Sequence, residues 1–331
     1  MKPFAFERAA SVTEALGLFD ADTAFLAGGT NLVDLMRLGV CSPQRLIDIN
    51  GVGLDEITEL ADGTISVGAL VRNSDLAAHE LIRTRCPFVA QAVVAGASAQ
   101  LRNMATTGGN LLQRTRCVYF GDLTTPCNKR EPGSGCSAKE GFGRYNALIG
   151  ASPHCLAVHP SDLCIPLAAL DAIVVAVGPG GTRRMPFGEF HRLPGDTPHI
   201  DTNLDPSELV VAVEIPALGF AASSLYRKVR ERVSYAFALV SVAAAVDLAD
   251  GMVRDVRLAL GGVSHRPYRA RAAEEALRGQ SATAESYRAA ADAELEAAKP
   301  GRDNAFKVPQ LRNTIVEVLS RLAAQAAQPT S

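Results

Sequence analysis

Apolar residues recur along this chain in short runs, and the period of each run predicts an element. Phe4 to Glu7 reads as a short strand, and Ser11-Val12-Thr13-Glu14 is a capping box opening a helix through Leu18. Ala24 to Ala27 is a second short strand, ending at Gly28-Gly29-Thr30-Asn31, after which Leu32, Leu35 and Met36 resume helical spacing. Strands are expected at Arg45–Ile49 and Thr64–Ala69, and a helix at Pro87–Ala97 with Val89, Ala92, Val93 and Val94 as its apolar positions. Beyond a long irregular stretch, 162–170 reads as a helix. Ala172–Val177 reads as a strand turning at Gly178-Pro179-Gly180-Gly181, and Leu209–Ile215 as another. Strand signals strengthen from Tyr226: Ala236–Val246, a turn near Asp250-Gly251, then Val253–Leu260. The remainder is rich in Ala, Glu and Arg, with helix signals at Arg269–Leu277, Ala284–Lys299 and Gln310–Ala327. Short strands and helices without strict βαβ alternation, and without an internal repeat, argue for an α+β fold rather than a doubly wound sheet.

Composition narrows the class. A length of 331 residues allows two or three domains with a substantial core. With 47% hydrophobic and 21% charged residues the chain is globular, and a net charge of −2 offers nucleic acid no general attraction. The opening MKPFAFERAASVTEAL lacks the apolar centre of a signal peptide, and no apolar run is long enough to span a membrane. The expectation is a cytoplasmic protein, or one carried to the periplasm on a signal-bearing partner.

Two glycine turns are the first candidate chemistry. Phe25-Leu26-Ala27-Gly28-Gly29-Thr30-Asn31-Leu32 leads straight into a helix, and Ala105-Thr106-Thr107-Gly108-Gly109-Asn110-Leu111-Leu112 has similar wording. Glycine lets backbone approach a phosphate, exposed N–H groups at a turn form an anion nest, and Thr and Asn add side-chain donors. Neither turn is a dinucleotide-binding G-x-G-x-x-G or a P-loop. A tight turn without a ligand is the bland reading of each, and their pairing raises the case for a diphosphate.

The irregular stretch carries the second. Cys117, Cys127, Cys136 and Cys155 stand in a segment rich in Gly, Pro, Ser and Asn, spaced C-x9-C-x8-C-x18-C. Such a segment buries too little apolar surface to hold its own shape, and long unstructured loops are rare inside compact domains. Four thiolates around an inorganic centre would order it. Without the C-x-x-C knuckle of zinc ribbons, the wide spacing suits a [4Fe–4S] cluster better than zinc. Zinc, free thiols and disulfides remain the alternatives, although seven cysteines, an odd number, speak against a disulfide framework. Cys41, Cys86 and Cys164 lie in or near apolar runs and read as core. His154 and His159 flank Cys155 and could line the loop, as hydrogen-bonding neighbours rather than ligands. The basic stretch 227–232 reads as a solvated face.

Four passages, AGGTNLVDLM, GASAQLRNMATTGGNLLQ, HPSDL and YRKVRERVSYAFALVSVAAAV, resemble in wording and order the FAD-binding subunits of the molybdenum hydroxylases, the xanthine dehydrogenase and aldehyde oxidoreductase group. The inserted cysteine stretch, with RTRC, PCNKREPGSGC and GASPHC, is most similar to the periplasmic aldehyde oxidoreductase branch, and is shared with 4-hydroxybenzoyl-CoA reductase. The resemblance implies an FAD-binding module at 1–219 of two subdomains, with a cluster-bearing insertion at about 114–155, and a smaller C-terminal flavoprotein domain at 220–331. It implies FAD and a [4Fe–4S] cluster as cofactors, with no catalytic residue in this chain. FAD contacts are implied for Ala27, Gly28, Gly29, Thr30, Asn31 and Leu32 of the first turn, and for Thr106, Thr107, Gly108, Gly109 and Asn110 of the second. Asp162 would accept from a cofactor hydroxyl, Lys228 would lie near the flavin ring, and Val211 would offer a backbone contact. Asp162 also reads as a helix cap and Lys228 as a solvated strand-edge lysine. The implied role is electron transfer in a heterotrimer with a large molybdenum-cofactor subunit and a small [2Fe–2S] subunit, toward an external acceptor. The rivals are a free-standing NAD(P)H–flavin reductase of the UDP-N-acetylenolpyruvoylglucosamine reductase type and a zinc-stapled interaction protein.

Overall fold

A computed structural model describes residues 1–327. Three sheets follow one another along the chain. The first is parallel: β1 (Ala5–Arg8), β2 (Thr23–Leu26) and β3 (Arg45–Asp48), in the order β1-β3-β2. Its first crossover is the helix Val12–Gly17, started by the expected box. Ser11 Oγ accepts the Glu14 amide at 3.1 Å, while the Glu14 carboxylate reaches back to the Ala10 amide at 2.7 Å, one residue earlier than the standard reciprocal bond. The second crossover contains the helix Leu32–Leu38, closed by Gly39 in the left-handed conformation.

The second sheet is antiparallel, with β4 (Ile57–Glu59), β5 (Ile65–Gly68), β6 (Ile173–Gly178), β7 (Gly181–Pro186) and β8 (Leu209–Ile215) in the order β4-β5-β8-β6-β7. Helical residues 73–95 and 164–169 cover it, and the apolar residues of both layers form one core with Phe88, Val89 and Ile165. β7 was not evident as a strand because its Thr182-Arg183-Arg184 run is solvent-facing and carries almost no apolar signal.

The third sheet is also antiparallel: β9 (Ser224–Val229), β10 (Val240–Ala249), β11 (Met252–Gly261) and β12 (Tyr268–Arg269), in the order β12-β11-β10-β9. Helices Arg271–Leu277, Ala284–Leu295 and Lys307–Ala326 follow. Alternate residues of β10 serve two cores. Ala243 and Ala245 join the core of the second sheet, while Val240, Val242, Ala244 and Val246 pack with the C-terminal helices. Small side chains on one face and larger ones on the other let this sheet sit close against the preceding domain. The strand expected from Ala236 begins only at Val240, because residues 231–235 bend and Tyr235 takes a φ of +52°. Among the described residues no helix is long and apolar enough to cross a membrane.

Candidate functional site

A cavity of about 580 Å³ opens between the first glycine turn, the end of the helix Pro87–Ala95 and the third sheet, lined by Asn31, Gly96, Asn110, Asp162, Lys228 and Gly262 among others. The first glycine turn delivers its wall. Gly28 abuts the second turn so closely that a Cβ there would stand 1.9 Å from the Met104 carbonyl oxygen, and Gly29 has a φ of +73°. Among the described residues, no backbone hydrogen bond is donated by the amides of Gly28, Gly29, Thr30, Asn31 or Leu32. Asn31 Oδ1 accepts the Arg114 amide at 3.0 Å, while its Nδ2 is buried without a partner. Thr30 and Asn31 line the cavity, whereas Gly28, Gly29 and Leu32 stand behind them, as does Ala27, whose carbonyl accepts from Asn50 Nδ2 at 3.0 Å. A run of free amides ending at a helix start, with an orphaned amide donor beside it, is a ready-made anion site.

The second turn is built differently despite its similar wording. It is a short helix, Thr107–Leu111, capped by Thr106, whose Oγ1 accepts from the Gly109 amide at 3.2 Å. Its other amides are spent: Thr107 on Val71 O at 3.0 Å, Gly108 on Ala69 O at 2.8 Å, and Asn110 on Thr106 O at 3.0 Å. Thr106, Thr107 and Gly108 are buried away from the cavity, and of the five implied residues Asn110 reaches its wall. Val211 lies one layer further back, its carbonyl accepting the Ala69 amide at 2.9 Å.

Asp162 and Lys228 come together across the domain junction at 2.7 Å, with side chains 9% and 2% exposed. Tyr226 donates its hydroxyl to the other Asp162 oxygen at 2.6 Å, and Lys228 Nζ also reaches Ala95 O at 3.2 Å. Burial, and then the neighbouring carboxylate, push the Tyr226 phenol well above its ordinary pKa, so it stays a donor. Asp162 is therefore not a side-chain helix cap: the helix starts at Cys164, and Ile165 N bonds the Asp162 carbonyl. Nor is Lys228 part of a solvated basic face. It stands on the edge strand β9, but the helix Pro87–Ala95 packs over that edge.

Cys117, Cys127, Cys136 and Cys155 line one small cavity, with Lys129 and His154 also in its wall. Cys117, Thr115 and Ala157 border the large cavity too, so the two share a partition. Backbone geometry makes the cage: Cys127 and Cys136 face each other across an antiparallel bridge, and Cys155 pairs with Ser152. All seven thiols of the chain are free. Burial pushes Cys155 up to about 11 and raises Cys117, and thiolates at the neighbouring cysteines would raise both further. Cys117 and Cys155 therefore resist ionising unless a cation lies beside them. Cys86 and Cys164 are buried in the core, as their sequence context implies. His159 does not reach the cage; its ring packs at 4.5 Å, edge to face, against His191.

The cavity also takes residues that carry no motif, notably Ala97 with a φ of +48° and the bend at Glu231, Tyr235 and Phe237. Ala97 and Tyr235 both take the left-handed conformation, which no residue type at those positions signals in the sequence.

The FAD binding domain of molybdopterin dehydrogenases matches residues 2–218, and the CO dehydrogenase flavoprotein C-terminal domain matches 224–327. The chain belongs to the FAD-binding medium subunits of the molybdenum hydroxylases and is an oxidoreductase subunit. It is 49% identical to the aldehyde oxidoreductase FAD-binding subunit PaoB of Escherichia coli K12, over 98% of this chain and 100% of that one. It is 29% identical to the glyceraldehyde dehydrogenase medium chain of Sulfolobus acidocaldarius, over 84% and 82% of the two chains. Among solved structures, a carbon monoxide dehydrogenase from Hydrogenophaga pseudoflava, lacking the Mo-pyranopterin moiety, is similar with a TM-score of 0.76 and 27% identity, covering 98% of each chain.

Proposed function

We propose that this chain is the FAD- and [4Fe–4S]-carrying electron-transfer subunit of a molybdenum-dependent aldehyde oxidoreductase. Its partners in a heterotrimer are a large molybdenum-cofactor subunit and a small [2Fe–2S] subunit. The observation that carries the reading is the convergence of four free thiols on one small cavity beside the larger one. The likeness to an aldehyde oxidoreductase subunit over its full length supports the substrate class. When bound, FAD would supply the redox chemistry by which electrons from the partners' clusters pass to an external acceptor.

The residues present fit that cofactor. The unspent amides of Gly28 to Leu32 and the orphaned Asn31 Nδ2 would hold its diphosphate, with Thr30 as a further donor. Ala27 and the second turn, Thr106 to Gly109, hold this wall in place, and Asn110 borders the cavity with its side-chain amide donated to Asn73 Oδ1 at 2.7 Å and Thr106 O at 2.8 Å. Asp162 would accept from a cofactor hydroxyl while the bonds from Tyr226 and Lys228 hold its carboxylate in place, and Lys228 would set a cation near the flavin ring. Val211 supports the second turn through Ala69 rather than touching the ligand. The chain then divides into an FAD module at 1–219, bearing the insertion at about 114–155, and a C-terminal domain at 220–331.

A cluster fits the cage better than zinc. Among the described residues, the group of three or more ligand atoms lying within 4.8 Å of one another is His159, Cys164 and His191, not the loop cysteines. One zinc ion would draw its thiolates to about 3.8 Å apart, given bonds of about 2.3 Å. A cubane spreads them further. A free-standing NAD(P)H reductase has no use for such a cage.

Iron and zinc analysis of the purified complex, with Ser at each of the four cysteines in turn, tests this. The wild type should hold about four irons per copy of this chain beyond those of the small subunit. Each variant should lose them and expose 114–155 to proteolysis, while Ser at Cys86 or Cys164 should leave the iron unchanged. One zinc in place of the irons, or a chain that is active alone with NAD(P)H, would overturn the proposal.

A further inference from the structure

Lys129 lies between Cys127 and Cys136 in the sequence and in the wall of the cysteine cage in space. Its side chain is only 2% exposed. Nζ donates to the Pro198 carbonyl at 2.7 Å and pairs with the Asp201 carboxylate, which Arg114 approaches as well. Both sequence neighbours stitch the cage. Asn128 exchanges bonds with Gly135 at 2.6 and 2.8 Å and donates to His154 O at 3.1 Å, and Arg130 donates to Tyr119 O and Phe120 O at 2.8 and 2.9 Å. The ammonium therefore cannot swing away without unpicking the loop.

Taking an ammonium out of water costs several kcal/mol, and an apolar side chain of similar volume would pin the loop as well or better. A cation here has a use if what fills the cage is anionic. Lys129 lines the same small cavity as Cys117, Cys127, Cys136 and Cys155. The other charged groups facing it are Asp201, which partly offsets it, and Arg114. His265 and His191 nearby are held neutral by burial, at about 4.

We propose that the Lys129 ammonium, fixed at the cage wall by Asp201 and the Pro198 carbonyl, sets the reduction potential of the iron–sulfur centre by stabilising its more negative state. The inference rests on the cluster reading above. Reduction adds one electron, and no compensating proton, to a centre that four thiolates already make anionic. A buried cation alongside favours that electron's arrival, and the low-dielectric surroundings strengthen the effect.

The test is a redox titration of the intact complex with dithionite and mediators, reading the electron paramagnetic resonance signal of the reduced cluster. Lys129→Met should lower the midpoint potential at unchanged iron content. Lys129→Arg should stay near wild type, and Asp201→Asn, which keeps the ammonium and removes its counter-charge, should raise the potential. If Lys129→Met holds its iron at the wild-type potential, Lys129 is a structural pin and the inference falls. Should Lys129→Met lose iron, Asp201→Asn decides, and an unshifted or lowered potential there refutes the proposal. An iron-free wild type sinks the cluster reading instead, which keeps the two failures apart.

Discussion

Removing Asp162 should cost more than any contact it makes is worth, because it strands a buried ammonium. Lys228 is 2% exposed and would retain only the Ala95 carbonyl at 3.2 Å. Breaking one side of such a pair costs about 3–5 kcal/mol, roughly two to four powers of ten in the unfolding equilibrium. Replacing both partners avoids that penalty. In Asp162→Ala with Lys228→Met the remaining loss is the acceptor of the Tyr226 hydroxyl, about 1–3 kcal/mol. Urea unfolding of the FAD-free protein, for wild type, both single variants and the double, closes the cycle without the cofactor's own contribution to stability. The double variant should be more stable than Asp162→Ala alone. If Asp162→Ala costs less than about 1 kcal/mol, or the two single losses simply add, the pair does not clasp the junction.

Gly28→Ala should weaken FAD binding by about tenfold or more, since its Cβ would meet the Met104 carbonyl oxygen at 1.9 Å and force the two turns apart. Gly109→Ala, which meets Thr106 Oγ1 at 3.0 Å, should bind FAD nearly as wild type; flavin fluorescence on titration compares them, and equal losses would refute the distinction between the turns. Lys307 is fully buried, donates to Asn146 O and Gly262 O at 3.0 and 2.6 Å, and is drawn down to about 7 by burial. Above that value the unfolded chain still holds the proton the folded one has released. This group therefore makes stability rise with pH from about 7 toward the ordinary lysine range, near 10.4. Lys307→Met should lack that rise in urea midpoints taken at about pH 6.5 and about pH 9, and an unchanged slope would show that the lysine folds without losing its proton.

Much of this protein is local and was legible in one dimension. Ser11 and Glu14 mark a helix start because capping is chemistry within four residues, and Leu209–Ile215 is a strand by its own run of β-branched residues. Four cysteines in a stretch with no apolar period stood out in the sequence, and the fold brings all four to one small cavity. What tertiary structure decided is which donors are left over. Gly28-Gly29-Thr30-Asn31 and Thr107-Gly108-Gly109-Asn110 read alike, yet the second spends its amides on Val71, Ala69 and Thr106 while the first keeps its own free. That difference depends on what each turn lands against. Likewise nothing near Lys228 says that it will be buried, since Asp162 lies 66 residues away and the helix covering its edge strand lies further still. Sequence sets the local conformation of each segment and the chemistry it carries. Whether a polar group becomes a spent bond, an ion pair or a free donor depends on the neighbour that packing brings to it, and that neighbour is usually remote in the chain.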